Sequence, residues 1–227
     1  MIKPEVPSSL CKGKSLVVDG SNTSVFTGLL GTDGSWIAKN SEATSPLEGL
    51  FPSVEKVLQF AQFKISDIRN FIYCEGPGSI LGLRLCAMAI QTWGHLSKST
   101  INYIAYNSLE LTATLVIQDY PEVHQGLLIS DWKKNAWNSI QLTEGKFSTI
   151  TTIDDQSLND QKDKPLFYLP QRKGWQKVPQ RASEIEYNPQ RLPEALQLLK
   201  ETKKVRLYAS NMNLFKKWIP QRHRAQV

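Results

Sequence analysis

Two spacings of apolar residues alternate along this chain, one of about two residues and one of three to four. Ser15 to Val18 reads as a short apolar strand that ends in the polar turn Asp19-Gly20-Ser21-Asn22. Val25 to Leu30 and Ser35 to Ala38 then predict a hairpin closed by Gly31-Thr32-Asp33-Gly34. Leu47, Leu50, Phe51, Val54, Val57, Leu58 and Ala61 recur at helical spacing, which predicts a helix with one apolar stripe. Phe71 to Cys74 cannot alternate with water, so it reads as a strand buried on both faces. A helix from Ser79 to Leu96 follows, apolar nearly all round, then a strand from Ile101 to Ala105 and a helix from Leu109 to Val116.

The second half repeats the theme more weakly. Gly126 to Ser130, Ala136 to Leu142 and Phe147 to Ile153 predict three strands, and Asp154 to Asp163 a short helix or loop. Pro165 to Leu169 reads as a strand, residues 170–193 as irregular, and Pro193 as the first residue of a helix reaching Leu199. Val205 to Ala209 is expected to be the last strand, before a basic end from Asn211 to Val227. A boundary is expected near residue 120, dividing the chain into units 1–120 and 121–227. A hairpin followed by βαβα implies a mixed sheet with helices on both faces.

Composition narrows the choice. The chain has 227 residues, 41% of them hydrophobic and 21% charged, as in an ordinary globular protein. No run is long enough to span a bilayer, and the first residues lack a signal-peptide core, so a cytoplasmic, membrane-free protein is expected. Cys11, Cys74 and Cys86 form no Cys-x-x-Cys pair, consistent with reduced thiols. The net charge of +6 is uneven: residues 162–227 carry +10 and the rest −4, which draws attention to an anionic partner such as RNA. Pro-Gln-Arg occurs at Pro170, Pro179, Pro189 and Pro220, at irregular intervals that exclude a solenoid repeat.

The densest signal is Glu75-Gly76-Pro77-Gly78-Ser79-Ile80-Leu81-Gly82-Leu83-Arg84. Strand, glycine turn and helix start, with Ser79 as the N-cap, make either a candidate anion site or a tight βα connection. The glycine spacing fits neither a dinucleotide fingerprint nor a Walker loop. Gly76-Pro77-Gly78-Ser79 followed by Gly82-Leu83-Arg84 resembles the Gly-Pro-Gly-Ser-aromatic-Thr-Gly-Leu-Arg stretch of the bacterial TsaB (YeaZ) family. Leu16-Val17-Val18-Asp19-Gly20-Ser21 is similar to that family's opening strand and turn. Ile80-Leu81 depart from the aromatic-Thr pair, and Pro46 stands about where relatives often carry a histidine.

The resemblance covers about the first 110 residues and implies an α/β fold of the actin/Hsp70-like (ASKHA) class. Two βββαβα-type subdomains are then expected, the second smaller and degenerate. It implies a scaffold subunit, with no catalytic residue of its own, that binds a TsaD-like protein. That assembly would support N6-threonylcarbamoylation of adenosine 37 in tRNA, with a TsaE-like ATPase as a further partner and tRNA touched only indirectly. The expected docking surface is Gly76, Pro77, Gly78, Ser79, Ile80, Gly82, Leu83, Arg84, Ala87 and Met88, and a homodimer through the Ser79–Leu96 helix is the variant of the same reading.

Chemistry visible in the residues points the same way. His95, His124 and His223 form no His-x-x-x-His pair, so the two-histidine metal grip of TsaD proteins is missing and no metal is expected. No Gly-x-Ser-x-Gly nucleophile occurs. Asp19, Gly20 and Ser21 are candidates for a nucleotide phosphate, although no second glycine-rich phosphate loop lies between Gly126 and Asp155. No cofactor is expected, with ATP bound only weakly or at a partner interface. The alternatives are a small phosphotransferase of the sugar-kinase type, using Asp19 and the Gly76–Gly78 turn, and a tRNA-binding module using the basic C-terminal third.

Overall fold

A computed structural model describes residues 8, 10, 13–171 and 176–208. The first half supplies β1 (Lys14–Asp19), β2 (Val25–Leu30), β3 (Trp36–Glu42), α1 (Pro46–Phe60), β4 (Ile68–Gly76), α2 (Ile80–Leu96), β5 (Asn102–Asn107) and α3 (Ser108–Asp119). The second half supplies β6 (Gln125–Lys133), β7 (Ala136–Thr143), β8 (Lys146–Phe147), β9 (Thr151–Asp154) and α4 (Asp155–Asn159). After these come β10 (Leu166–Leu169), β11 (Ala182–Glu184) and β12 (Lys200–Thr202).

The first sheet runs β12-β5-β4-β1-β2-β3. The β1–β2 and β2–β3 pairs are antiparallel, and β4 and β5 add in parallel through right-sized helical crossovers. The second sheet runs β11-β10-β6-β7-β8, with β9 paired to β7. Hairpin plus parallel strands in each sheet is the mixed α/β arrangement that the apolar pattern predicts, in the actin/Hsp70-like form that the resemblance implies.

Strand β4 is buried on both faces, as its unbroken apolar run requires: Phe71 and Tyr73 pack under α1 and α2, while Ile72 and Cys74 face the other side. On that other side α3 acts as a wedge. Leu111 and Leu115 meet the first sheet, whereas Leu109, Ala113 and Val116 meet Leu128, Ile140 and Phe167 of the second. Beyond the second sheet, Leu127, Ile129 and Trp137 pack with Leu158 of α4.

Four stretches differ from the sequence expectation. The last strand is Lys200–Thr202, antiparallel to β5, rather than Val205–Ala209; Val205 is buried against the sheet as a plug outside any ladder, and Ala209 lies outside the described residues. Residues Pro189–Leu198 form 3-10 turns broken at Ala195 instead of a helix begun by Pro193. Two prolines without N–H groups inside ten residues remove the donors that an α-ladder needs. The stretch Phe147–Ile153 divides into β8 and β9, and 170–193, expected to be irregular, contributes β11. After β11 the chain leaves the second sheet: Leu192, Leu196 and Leu198 pack on the first one.

Candidate functional site

The glycine turn at the end of β4 serves close packing. The Gly76–Pro77 peptide is cis and Gly76 has φ +110°, a region that favours glycine. Ser79 caps α2, its Oγ accepting from the Gly82 amide at 3.3 Å, while the Ser79 amide donates to the Ser21 carbonyl at 2.7 Å. A Cβ on Gly78 would stand 2.3 Å from the Ser21 carbonyl oxygen, and one on Gly82 would stand 2.1 Å from that of Gly20. The turn after β1 is therefore in backbone contact with the first turn of α2.

The Pro77 carbonyl then ties three elements together. It accepts from Ser108 Oγ at 2.6 Å, at the start of α3, and from Gln171 Nε2 at 2.7 Å, just after β10. The Gln171 amide donates to Asp131 Oδ2 at 3.1 Å, and the Tyr168 hydroxyl donates to the same oxygen at 3.1 Å. Gly76, Pro77 and Gly82 are buried in this junction and Gly78 and Ser79 half-buried, so the turn is mostly interior.

Asp19 is buried at the end of β1 and surrounded by donors. Its Oδ1 accepts from the Ser21 amide at 2.7 Å, and its Oδ2 accepts from the hydroxyls of Tyr106 and Tyr187, the latter at 2.5 Å. Burial, reinforced by the Asp19 charge, pushes both phenols well above the ordinary tyrosine range, so they stay protonated and keep donating. A phosphate-bound cation at Asp19 would have to displace them. The cleft alongside, lined by Asn22, Ser24, Tyr187, Asn188 and Gln190, holds about 160 Å³. That is below the roughly 300–1,000 Å³ of ordinary small-molecule pockets. Cys74 and Cys86 are buried, and burial raises both thiols, which disfavours the thiolate a nucleophile requires.

Helix α2 is less uniformly buried than its composition suggests. Leu83, Cys86, Ala87 and Ile90 point into the chain's own core. Leu83 and Ala87 therefore leave the expected docking surface: each is spent on intrachain packing. Ile80, Leu81, Arg84 and Met88 face outward, and α1 adds Leu47 and Phe51 beside them. The five apolar members of this group are 54–65% exposed. The two helices touch where Pro46 meets Gly82 and where the Phe51 ring stands edge-on to Trp93 at 6.0 Å. Exposed apolar side chains thus stand on both of two touching helices, with Arg84, Gln91, Thr92 and His95 exposed beside them on α2.

Of the expected site residues, the structure brings Gly20, Ser21, Gly78 and Gly82 together and sets Ile80, Arg84 and Met88 on the outward face. Tyr106, Tyr187 and Gln171 had no sequence signal. Tyr187 and Gln171 fall in the Pro-, Gln- and Arg-rich stretch without periodicity, and only the folded chain carries them to Asp19 and Pro77. His95 lies at the end of α2 and His124 after α3, and among the described residues no group of three His, Cys, Asp or Glu converges as a metal site. Arg172, Lys173, Trp175, Cys11, His223 and the basic end from Asn211 lie outside the described residues.

A family model described as TsaD, tRNA N6-adenosine threonylcarbamoyltransferase, matches residues 44–165, just over half of the chain. The chain belongs to this family, and its Gly76–Arg84 motif resembles that of the TsaB/YeaZ type. Comparison with curated proteins found no match. Among solved structures, YeaZ from Pseudomonas aeruginosa is similar with a TM-score of 0.57 and 16% identity, covering 82% of this chain and 90% of that one. An uncharacterized protein with similarity to peptidase YeaZ from Pseudomonas aeruginosa gives a TM-score of 0.54 and 17% identity, covering 82% and 88%. At such identity these two structures speak for the fold. No helix among the described residues is long and apolar enough to cross a membrane.

Proposed function

We propose that this chain is a non-catalytic partner subunit. It binds a TsaD-like protein through the outward face of α1 and α2, and so supports N6-threonylcarbamoylation of adenosine 37 in tRNA, in the cytoplasm. The observation that carries this reading is the face itself: Leu47, Phe51, Ile80, Leu81 and Met88, all more than half exposed, on two touching helices. Large apolar side chains gathered this way mark interaction surfaces rather than ordinary exterior. Family membership supports the choice of partner. A non-catalytic role is supported by the protein donors that occupy Asp19 and by the buried, protonated thiols.

The transfer chemistry would then belong to the TsaD-like protein, with ATP, a TsaE-like ATPase and tRNA entering through it. A second copy of this chain is the rival occupant of the face. Capture of the purified TsaD-like protein from the same cell tests the reading. The double variant Leu81→Asp, Met88→Asp should lose capture while its circular dichroism stays that of the parent. Undiminished capture by the folded double variant overturns the docking role.

A further inference from the structure

Strand β3 is an open edge of the first sheet. Among the described residues it pairs only with β2, so one row of its N–H and C=O groups has no ladder partner. Helix α1 lies over this edge: Ala38 is buried with its Leu50, Val54 and Val57, Ser53 Oγ accepts from Asn40 Nδ2 at 2.8 Å, and Lys56 Nζ donates to Glu42 Oε1 at 2.5 Å. Ala38, Asn40 and Glu42 therefore face α1, while Ile37, Lys39 and Ser41 face away from it and are exposed. Between residues 36–40 and the Lys56, Val57 and Phe60 side of the helix runs a groove of about 400 Å³. Phe60 is 79% exposed beside it.

A groove between an unpaired sheet edge and a helix has the shape of an absent strand. The seven residues of β3 extend over about 23 Å. A strand laid along them would set alternate side chains against Val57 and Phe60 and the others beside Ile37 and Lys39, so an occupant that alternates apolar and charged residues fits. The charge at the edge selects the sign. Lys39 stands mid-strand and has no ion-pair partner among the described residues. The nearby carboxylates are engaged, Glu42 by Lys56 and Asn40, and Glu55 by Gln59 Nε2 at 3.0 Å; Glu48 lies in the first turn of α1, at the other end from Phe60. A second copy of the chain fits poorly. Full antiparallel overlap of two β3 strands pairs residue 36 with 42 and sets Lys39 opposite Lys39, and like charges directly opposite are destabilising.

We propose that β3 takes up an extended, acidic segment of another protein as an added strand of the first sheet, with a carboxylate opposite Lys39 and apolar side chains against Phe60. Main-chain hydrogen bonds along the edge hold the segment, and the groove and Lys39 select it. This site is separate from the α1–α2 face: Phe51 meets Trp93 of α2 on one flank of α1, whereas Ser53 and Lys56 meet β3 on the other. It goes beyond the subunit role proposed above and does not depend on it.

The probe is a peptide of about eight residues alternating valine and glutamate, capped at both ends and labelled with fluorescein. It is titrated with the full chain and followed by fluorescence anisotropy. Saturable binding is expected, roughly tenfold tighter than that of the same peptide with lysine in place of glutamate. Two N-methylated forms, one on each set of alternate amides, separate strand addition from apolar capture: methylation of the set that faces β3 should abolish binding and methylation of the other should not. Lys39→Glu, at an exposed position, should weaken the glutamate peptide about fivefold and favour the lysine peptide. Leu81→Asp, Met88→Asp should leave the binding unchanged. Absence of saturation, equal binding of the glutamate and lysine peptides, or equal tolerance of both methylated forms overturns the proposal. Loss of binding in the folded Leu81→Asp, Met88→Asp chain also overturns it, because the peptide then sits on the α1–α2 face. A dimer that the peptide dissociates overturns it as well, because the occupant of β3 is then a second copy.

Discussion

Tyr187→Phe removes one of the two hydroxyls that donate to Asp19 Oδ2, at 2.5 Å, and leaves the ring that fills the space. Hydrogen bonds to a charged group contribute about 1.5–3 kcal/mol, and the acceptor here is buried, so no water replaces the lost donor at no cost. Tyr106 keeps its bond to the same oxygen, which places the expected loss near the lower end, about 2 kcal/mol. With an unfolding entropy of roughly 2.1 cal/mol/K per residue over about 200 residues, that corresponds to a melting point lower by about 4–5 °C. Urea unfolding followed by circular dichroism measures it directly. The double variant with Tyr106→Phe sharpens the reasoning, because the two hydroxyls share one oxygen. Removing both leaves that oxygen buried without a hydroxyl donor, so the double loss should exceed the sum of the singles by about 1 kcal/mol or more. A Tyr187→Phe loss below about 0.5 kcal/mol, or strictly additive losses, would refute the view that these tyrosines bind and occupy Asp19.

Other outcomes follow from the same geometry. Stability should fall as pH rises above about 9: Cys74, Cys86, Tyr106 and Tyr187 have raised values in the folded chain, so the protonated forms stabilise it below the unfolded values near 8.5 and 10 and that gain is lost above them. The Tyr106→Phe, Tyr187→Phe chain should show a shallower fall beyond pH 10 in the same unfolding assay. Gly82→Ala would place a methyl 2.1 Å from the Gly20 carbonyl oxygen, so a loss of about 1–3 kcal/mol in urea unfolding is expected, and an unchanged midpoint would contradict the backbone contact. Calorimetric titration of the isolated chain with ATP and magnesium should give little heat, because the Asp19 cleft is small and its carboxylate engaged; micromolar binding would favour the phosphotransferase alternative.

The architecture was readable where local chemistry and burial agree. Phe71 to Cys74 could only be a doubly buried strand, and Ser79 after two glycines could only start a helix. The site was readable only in outline. Leu83 and Met88 are equally apolar in sequence, yet one turns toward the core and the other toward solvent, a distinction set by the exact facing of α2 on β4. Periodicity is weak there because polar positions are few: Arg84, Gln91, Thr92 and His95 mark the exposed side, and Met88 lies among them. Tyr187 was hidden for a different reason: its partner Asp19 is 168 residues away, and nothing local near Pro189 reports a long-range hydrogen bond. Val205 misled because burial alone, without a pairing partner, looks like a strand.

The central claim is tested most directly by the dissociation constant between the purified chain and the TsaD-like protein of the same cell, measured for the parent and for Leu81→Asp, Met88→Asp. Burying two carboxylates in place of two apolar side chains should weaken the complex at least a hundredfold, while both chains unfold at similar urea concentrations. Equal affinities in two equally folded chains would mean that the α1–α2 face is not where this protein meets its partner.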